Sequence, residues 1–427
     1  MKPKDPNAPY QLHGVNISYF TGKLEAYMRY KDIPFELVNG YDLGKIFFQT
    51  GITNMPAVEA SQGRWLYETT PTIQWFETIY PDIPITPKNK ALAFVSLLLE
   101  DYGDEWLWRP AMWWRWMPPV SRRALGTRIM KGAMNAPALW WYFAQRQSRE
   151  WLWGDGMTKD NSDAVRDMYF EELDFLESVF AKQEFILGSH PSAADFGYFA
   201  SMFRHFRNDP DPAEIMRSRA PHTYAWLARL WNTKAQALGA KQHWVFPKGR
   251  HWTPLLDRLA NDYLPYLTAN AEDFRDNERR FDFVGKNHSF RRTKTTFYRV
   301  WCLEVLQRHY RALNVRDKVV DALFAPVGRI SKILSARQSA PAWMIYSLCP
   351  NPRSRARILR LALYVVGVWV HNREIRKCAH DVYSDQTVFD RRHYCCDNRS
   401  CQKKRQIWWI DCRAAADNNS DYYMDVL

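Results

Sequence analysis

The chain has 427 residues, of which 46% are apolar and 25% charged, a balance ordinary for a folded soluble chain with material for two or three domains. Only Cys302 of its seven cysteines lies in the first 340 residues, which excludes a disulfide framework there. The net charge is +13, but the basic residues are scattered, with short clusters at Arg279-Arg280, Arg291-Arg292-Thr293-Lys294 and Lys403-Lys404-Arg405. No recognition helix or zinc-finger spacing accompanies them, so no specific nucleic-acid partner is expected; a solvated basic face or attraction of anionic substrates is.

Residues 1–9 are polar and proline-rich, unlike a signal peptide. Residues 10–13 then read as a short strand, and residues 21–31 carry Leu24, Tyr27, Met28 and Tyr30 at helical spacing. Residues 34–38 alternate as a strand, and a weaker helix runs over 43–49. Asn54-Met55-Pro56 precedes two short strands, 57–60 and 64–67, joined by Ser61-Gln62-Gly63, and a helix is expected over 72–80. The order is βαβαββα.

Farther along, Ser192-Ala193-Ala194-Asp195 is a helix start in which Ser192 and Asp195 cap one another, a folding device. The chain holds 20 tryptophans, nine of them between residues 106 and 153. Residues 252–269 read as a helix that Pro265 should kink or end. A short hairpin is expected around Gly285-Lys286-Asn287, within 281–292, and helices over 298–313 and 319–323. The longest strongly apolar run, 359–370, is interrupted by Arg360 and too short to span a bilayer. Beyond residue 340 periodicity is lost and six cysteines appear; His393, Cys395, Cys396, Cys401 and Cys412 lack the paired C-x-x-C hooks of a zinc site, so no metal is expected. An irregular tail is expected instead.

The βαβαββα order, with Ile17-Ser18-Tyr19-Phe20-Thr21-Gly22-Lys23-Leu24 at the first strand-to-helix turn, resembles the thioredoxin-like N-terminal domain of the glutathione S-transferase family. The block from Glu184 to Phe196 is similar to the helix start in that family's all-α C-terminal domain. The fold class expected is therefore α+β: a thioredoxin-like domain over residues 8–82, an all-helical domain over 88–238, a mostly helical extension over 250–340 and an irregular tail over 341–427.

The resemblance implies glutathione as co-substrate. A cis Met55-Pro56 bond turns the backbone of Met55 outward to pair the tripeptide's cysteine. Glu68 can pair with the γ-glutamyl ammonium, and Thr69 with the first N–H groups of the following helix can receive its carboxylate. In the family a Ser, Tyr or Cys at the first turn points at the glutathione sulfur, and a hydroxyl donated there favours thiolate over thiol. Ser18 holds that position. Tyr19, which stands where relatives often carry Pro, is the alternative, and Thr21 is a third candidate that more naturally caps the helix. Trp106, Trp108, Trp113, Trp114 and Trp116 are candidates for the wall of the second-substrate pocket, the other reading being core packing or a dimer contact. The expected function is a cytoplasmic, homodimeric glutathione transferase acting in detoxification on an apolar electrophile, a peroxide or a halide. The alternative is a non-catalytic binding or scaffold protein on the same fold.

Overall fold

Alternation along Tyr10-Gln11-Leu12 sends Gln11 to solvent and the other two side chains inward, making β1 (Tyr10–Gly14). The computed structural model describes residues 9–60, 63–313 and 319–336. After β1 come α1 (Tyr19–Tyr30), β2 (Phe35–Asn39), α2 (Leu43–Thr50), β3 (Ala57–Glu59), β4 (Trp65–Tyr67) and α3 (Thr69–Ile79). The sheet order is β2-β1-β3-β4, with β1 parallel to β2 and antiparallel to β3, and β3 antiparallel to β4. This is the expected thioredoxin-like βαβαββα unit. One boundary differs: α3 begins at Thr69, three residues before the expected start, because Pro71 is accommodated in the first turn, where an absent N–H has no intrahelical partner to lose.

Helices follow: α4 (Lys90–Glu105), α5 (Trp108–Trp116), α6 (Pro119–Met134), α7 (Trp140–Trp151), α8 (Ser162–Phe180), α9 (Ala193–Ser201), α10 (Pro210–Arg219), α11 (Pro221–Asn232) and the single turn α12 (Ala235–Leu238). Two glycines let α4 and α9 cross in backbone contact: a Cβ on Gly103 would lie 2.8 Å from the Gly197 carbonyl carbon, and one on Gly197 2.6 Å from the Glu100 oxygen. The start of α9 is built as its sequence implies. Asp195, fully buried, accepts the Ser192 N–H at 2.9 Å, and its other oxygen accepts the Ile186 N–H at 2.9 Å.

The extension contains α13 (Thr253–Arg258), α14 (Leu264–Arg275), β5 (Arg280–Val284), β6 (Ser289–Lys294), α15 (Phe297–Arg311), α16 (Val319–Phe324) and α17 (Ser331–Leu334). Pro265 does not end the helix. A wider π turn over Leu259–Tyr263 precedes it, and the Asn261 carbonyl, which would otherwise accept the missing Pro265 N–H, accepts the Lys286 N–H of the β5–β6 turn at 3.4 Å. The extension shares the core of the earlier helices: Trp106 packs edge-on against Tyr263, Tyr266 and Phe290. The expected irregular tail, with its cysteines, lies outside the described residues.

Candidate functional site

Strand register brings three separate sequence motifs to one end of the sheet. His13, near the end of β1, pairs with Ala57 at the start of β3, and Ala57 pairs with Tyr67 at the end of β4. The turn leading to Ser18, the Met55-Pro56 bond and the Glu68-Thr69 entry to α3 therefore all leave the sheet on the same edge. Two strand spacings, about 10 Å, separate β1 from β4. Met55-Pro56 is cis, and the Met55 backbone makes no hydrogen bond to any described residue.

Ser18 is the N-cap of α1, its Oγ accepting the Thr21 N–H at 3.4 Å. That bond uses an oxygen lone pair and leaves the hydroxyl proton free to donate. The expected cap, Thr21, is not the cap, because α1 starts two residues before it; its hydroxyl is buried against Gly14 without a hydrogen-bond partner among the described residues. Tyr19 points inward. Its hydroxyl donates to the Gly103 carbonyl at 2.5 Å, and its ring sits among Phe20, Trp108 and His205. Burial pushes the Tyr19 hydroxyl well above the ordinary tyrosine range, with Asp104 adding to it, and pulls the His205 imidazole well below its own.

Sequence reasoning missed what holds this turn. Arg115 of α5 donates to the Ile17 carbonyl at 3.0 Å while gripping Asp209 with two bonds of 2.7 and 2.9 Å. Arg204 donates to the Asn16 carbonyl at 2.6 Å and to Glu25 at 2.5 Å, and Arg128 of α6 donates to the Asn16 side chain at 3.1 Å. Three arginines thus strap the β1–α1 turn to the helical unit by charge-assisted bonds. No local spacing announces them, since their partners lie roughly a hundred residues or more away in the chain.

At the other side of the edge, Glu68 has φ +61° and ψ 124°, a conformation that costs a non-glycine residue about 1–3 kcal/mol and is held only where its surroundings impose it. Among the described residues its carboxylate has one hydrogen bond, from Asn54 Nδ2 at 3.4 Å. Burial raises its pKa, and Glu105 adds to that. Thr69, buried at the first position of α3, has no hydrogen-bond partner for its hydroxyl among the described residues. Thr70 is engaged: fully buried Lys23 donates to Thr70 Oγ1 at 3.0 Å, to Glu100 at 2.7 Å and to Asp104 at 2.5 Å. Burial opposes the charge on Lys23, but Asp104 and Glu100 outweigh it and its pKa is raised.

Residues 159–229, from just before α8 into α11, match the family model described as the C-terminal domain of glutathione S-transferase. This stretch is similar to the C-terminal domain of that family. No curated protein matches it in sequence. Among solved structures, the chain is similar to a glutathione S-transferase from Pseudomonas fluorescens, 16% identical over 52% of this chain and 94% of the other, with a TM-score of 0.35. A glutathione S-transferase from Rhodospirillum rubrum is 15% identical over 57% of this chain and 98% of its own, with a TM-score of 0.37. One from Methylobacterium radiotolerans, in complex with glutathione sulfonate, is 16% identical over 56% and 99%, with a TM-score of 0.34.

The tryptophans expected to line a second-substrate pocket separate into two groups. Trp106 is wholly buried beneath the extension and has no surface to offer a ligand. Trp113 donates to Ser162 of α8 at 2.9 Å and Trp114 to the Arg166 carbonyl of the same helix at 3.2 Å, while Trp116 packs on Phe143 of α7. Trp106, Trp114 and Trp116 are core residues and Trp113 is half-buried against that core, because they are turned toward α7, α8 or the extension. Trp108 alone reaches α1, stacked on Phe20 at 6.2 Å. A cleft of about 190 Å³ lies beside the β1–α1 turn, lined by Val15, Asn16, Ile17, Tyr41, Arg128 and Gly132 among others. The extension also reaches this edge. Burial, then Cys302, Glu105 and Glu68 nearby, push the Tyr298 hydroxyl of α15 well above the tyrosine range.

Proposed function

We propose that the chain binds glutathione along this edge of the sheet and activates its thiol. What supports the reading is that the turn leading to Ser18, the unpaired Met55 backbone and the Glu68-Thr69 helix entry leave the same end of the sheet, from strands β1 and β4 about 10 Å apart, close to the extended length of a tripeptide, roughly 10–11 Å. In this reading Met55 pairs the cysteine backbone, Glu68 takes the γ-glutamyl ammonium, and Thr69 with the α3 N-terminus takes the carboxylate. The Ser18 hydroxyl donates to the sulfur, so the thiol proton leaves to water at lower pH. The thiolate then forms a sulfur–carbon bond with an electrophile whose leaving group departs with its electron pair. The cleft beside residues 15–17 holds the electrophile, with Trp108 behind the turn; an organic halide loses halide ion to the same attack, and a peroxide is split at its O–O bond to an alcohol and a glutathione sulfenate, which a second glutathione converts to the disulfide and water.

The protein then acts as a cytoplasmic homodimer, an assembly that light scattering on the eluting protein tests. Among the described residues no helix is long and apolar enough to cross a membrane. A second reading, a non-catalytic binding or scaffold protein on the same fold, is favoured by the proximity of α15 to this site, where Glu68 contributes to raising the Tyr298 pKa. Retention on immobilised glutathione with release by free glutathione supports binding, and thiolate formation in the eluted complex near neutral pH separates the enzyme from the scaffold. A protein that passes through unretained refutes the enzyme and leaves the scaffold.

A further inference from the structure

From residue 106 to residue 149 the chain contains no Asp or Glu, yet carries Arg109, Arg115, Arg122, Arg123, Arg128, Lys131, Arg146 and Arg149. Arg109 and Arg115 are buried and paired with Asp155 and Asp209. Arg123, Lys131, Arg146 and Arg149 are exposed on α6 and α7, and none of them has a carboxylate partner among the described residues. The tip of the same hairpin presents large apolar side chains to solvent: Met134 is 47% exposed, Leu139 44%, Trp141 53% and Tyr142 60%.

These side chains are not the residue of a loose loop. A Cβ on Gly126 would lie 2.9 Å from the Trp140 carbonyl, so α6 and α7 are in close contact. Asn135 closes α6 in a left-handed cap at φ +50°, and Pro137–Leu139 forms a single tight turn before α7. The inner face of α7, Ala144 and Ser148, is buried. The rings are therefore held outward by an ordered hairpin. Exposed Trp and Tyr, each an apolar body with a polar handle, favour the boundary between lipid headgroups and acyl chains. Unpaired Lys and Arg beside them favour an anionic surface. A second copy of this chain would bring like charges together, and residues 353–360, with four arginines, carry the same sign.

We infer that the α6–α7 tip docks the protein on an anionic phospholipid surface, with Met134, Leu139, Trp141 and Tyr142 entering the headgroup boundary and Lys131 and Arg146 pairing with lipid phosphates or carboxylates. Docking brings the cleft lined by Arg128 and Gly132 of the same helix to the lipid surface.

The test is flotation of the full chain with vesicles of phosphatidylcholine alone and of phosphatidylcholine containing phosphatidylserine, at low and raised salt. Partition into the anionic vesicles, weakening with salt, is expected. Lys131→Gln/Arg146→Gln should lower it roughly thirtyfold, about fivefold for each cation near the surface, and Trp141→Ser/Tyr142→Ser at least about tenfold. Both variants should keep the unaltered melting temperature, since the replaced side chains are exposed. Phe48→Ser, which removes a ring 76% exposed on α2, should leave partition unchanged. The inference is overturned if the unaltered chain ignores anionic vesicles, or if both hairpin variants bind them as well as it does. It is also overturned if the tip variants abolish self-association instead.

Discussion

Replacing Ser18 by alanine removes two bonds of different kinds. As the cap of α1, Ser18 accepts the Thr21 N–H at 3.4 Å, longer than the usual 2.9–3.0 Å, so its loss should cost the fold near the low end of the capping range, about 0.5–1 kcal/mol. As donor to a bound thiolate, the hydroxyl contributes about 1.5–3 kcal/mol, which is roughly one to two units in the thiol pKa and a ten- to hundredfold fall in rate at neutral pH. Glycine separates the effects, because it caps within a few tenths of a kcal/mol of serine yet carries no hydroxyl. The thiolate absorbance of the saturated glutathione complex should therefore titrate upward equally in Ser18→Ala and Ser18→Gly, while only the first loses appreciable stability. Tyr19→Phe leaves the buried Gly103 carbonyl without its donor and should lose about 1–3 kcal/mol of stability with an unshifted titration. An unshifted titration in both Ser18 variants, or a shift in Tyr19→Phe, would refute the reasoning. No thiolate below about pH 9 in the unaltered protein would favour the scaffold.

Glu68→Gly should raise the melting temperature by relieving about 1–3 kcal/mol of backbone strain, while weakening glutathione about tenfold or more in a calorimetric titration; a fall in both would show that the backbone there is not strained. Lys23→Met leaves Glu100 and Asp104 facing one another in the interior and should lower stability by about 3–5 kcal/mol in urea, with much of the loss recovered when Glu100→Gln and Asp104→Asn accompany it. The Asp195 carboxyl is pushed up to about 6 by burial, against the Ser192 and Ile186 N–H bonds that favour its charge. Its pKa is thus above the unfolded value of about 3.9, so its contribution is full below about pH 4 and lost as pH rises through 6, on the order of 3 kcal/mol in all. Asp195→Asn should flatten the dependence of the urea midpoint on pH between about 4 and 6, and a slope as steep as that of the unaltered protein would exclude Asp195 as its source.

Period and punctuation along the chain were enough for the local elements. Tyr10-Gln11-Leu12 alternates, Leu24, Tyr27, Met28 and Tyr30 recur at helical spacing, and Ser192 with Asp195 spells a cap, because each of these signals acts between residues a few positions apart. The cis bond at Met55-Pro56 and the helix entry at Glu68 were legible for the same reason. What lies across the fold was not. The straps from Arg115, Arg128 and Arg204 onto residues 16 and 17, the Lys23 lattice, and the choice between Ser18, which faces out with a free proton, and Tyr19, whose hydroxyl is taken by Gly103, depend on partners about 80 to 190 residues away. The tryptophans show the division most clearly. Their sequence declares bulk and apolarity, but only the packing of α7, α8 and the extension buries Trp106, Trp114 and Trp116, half-buries Trp113 and leaves Trp141 and Tyr142 facing solvent, since a ring's fate depends on which surface its helix turns toward a neighbour.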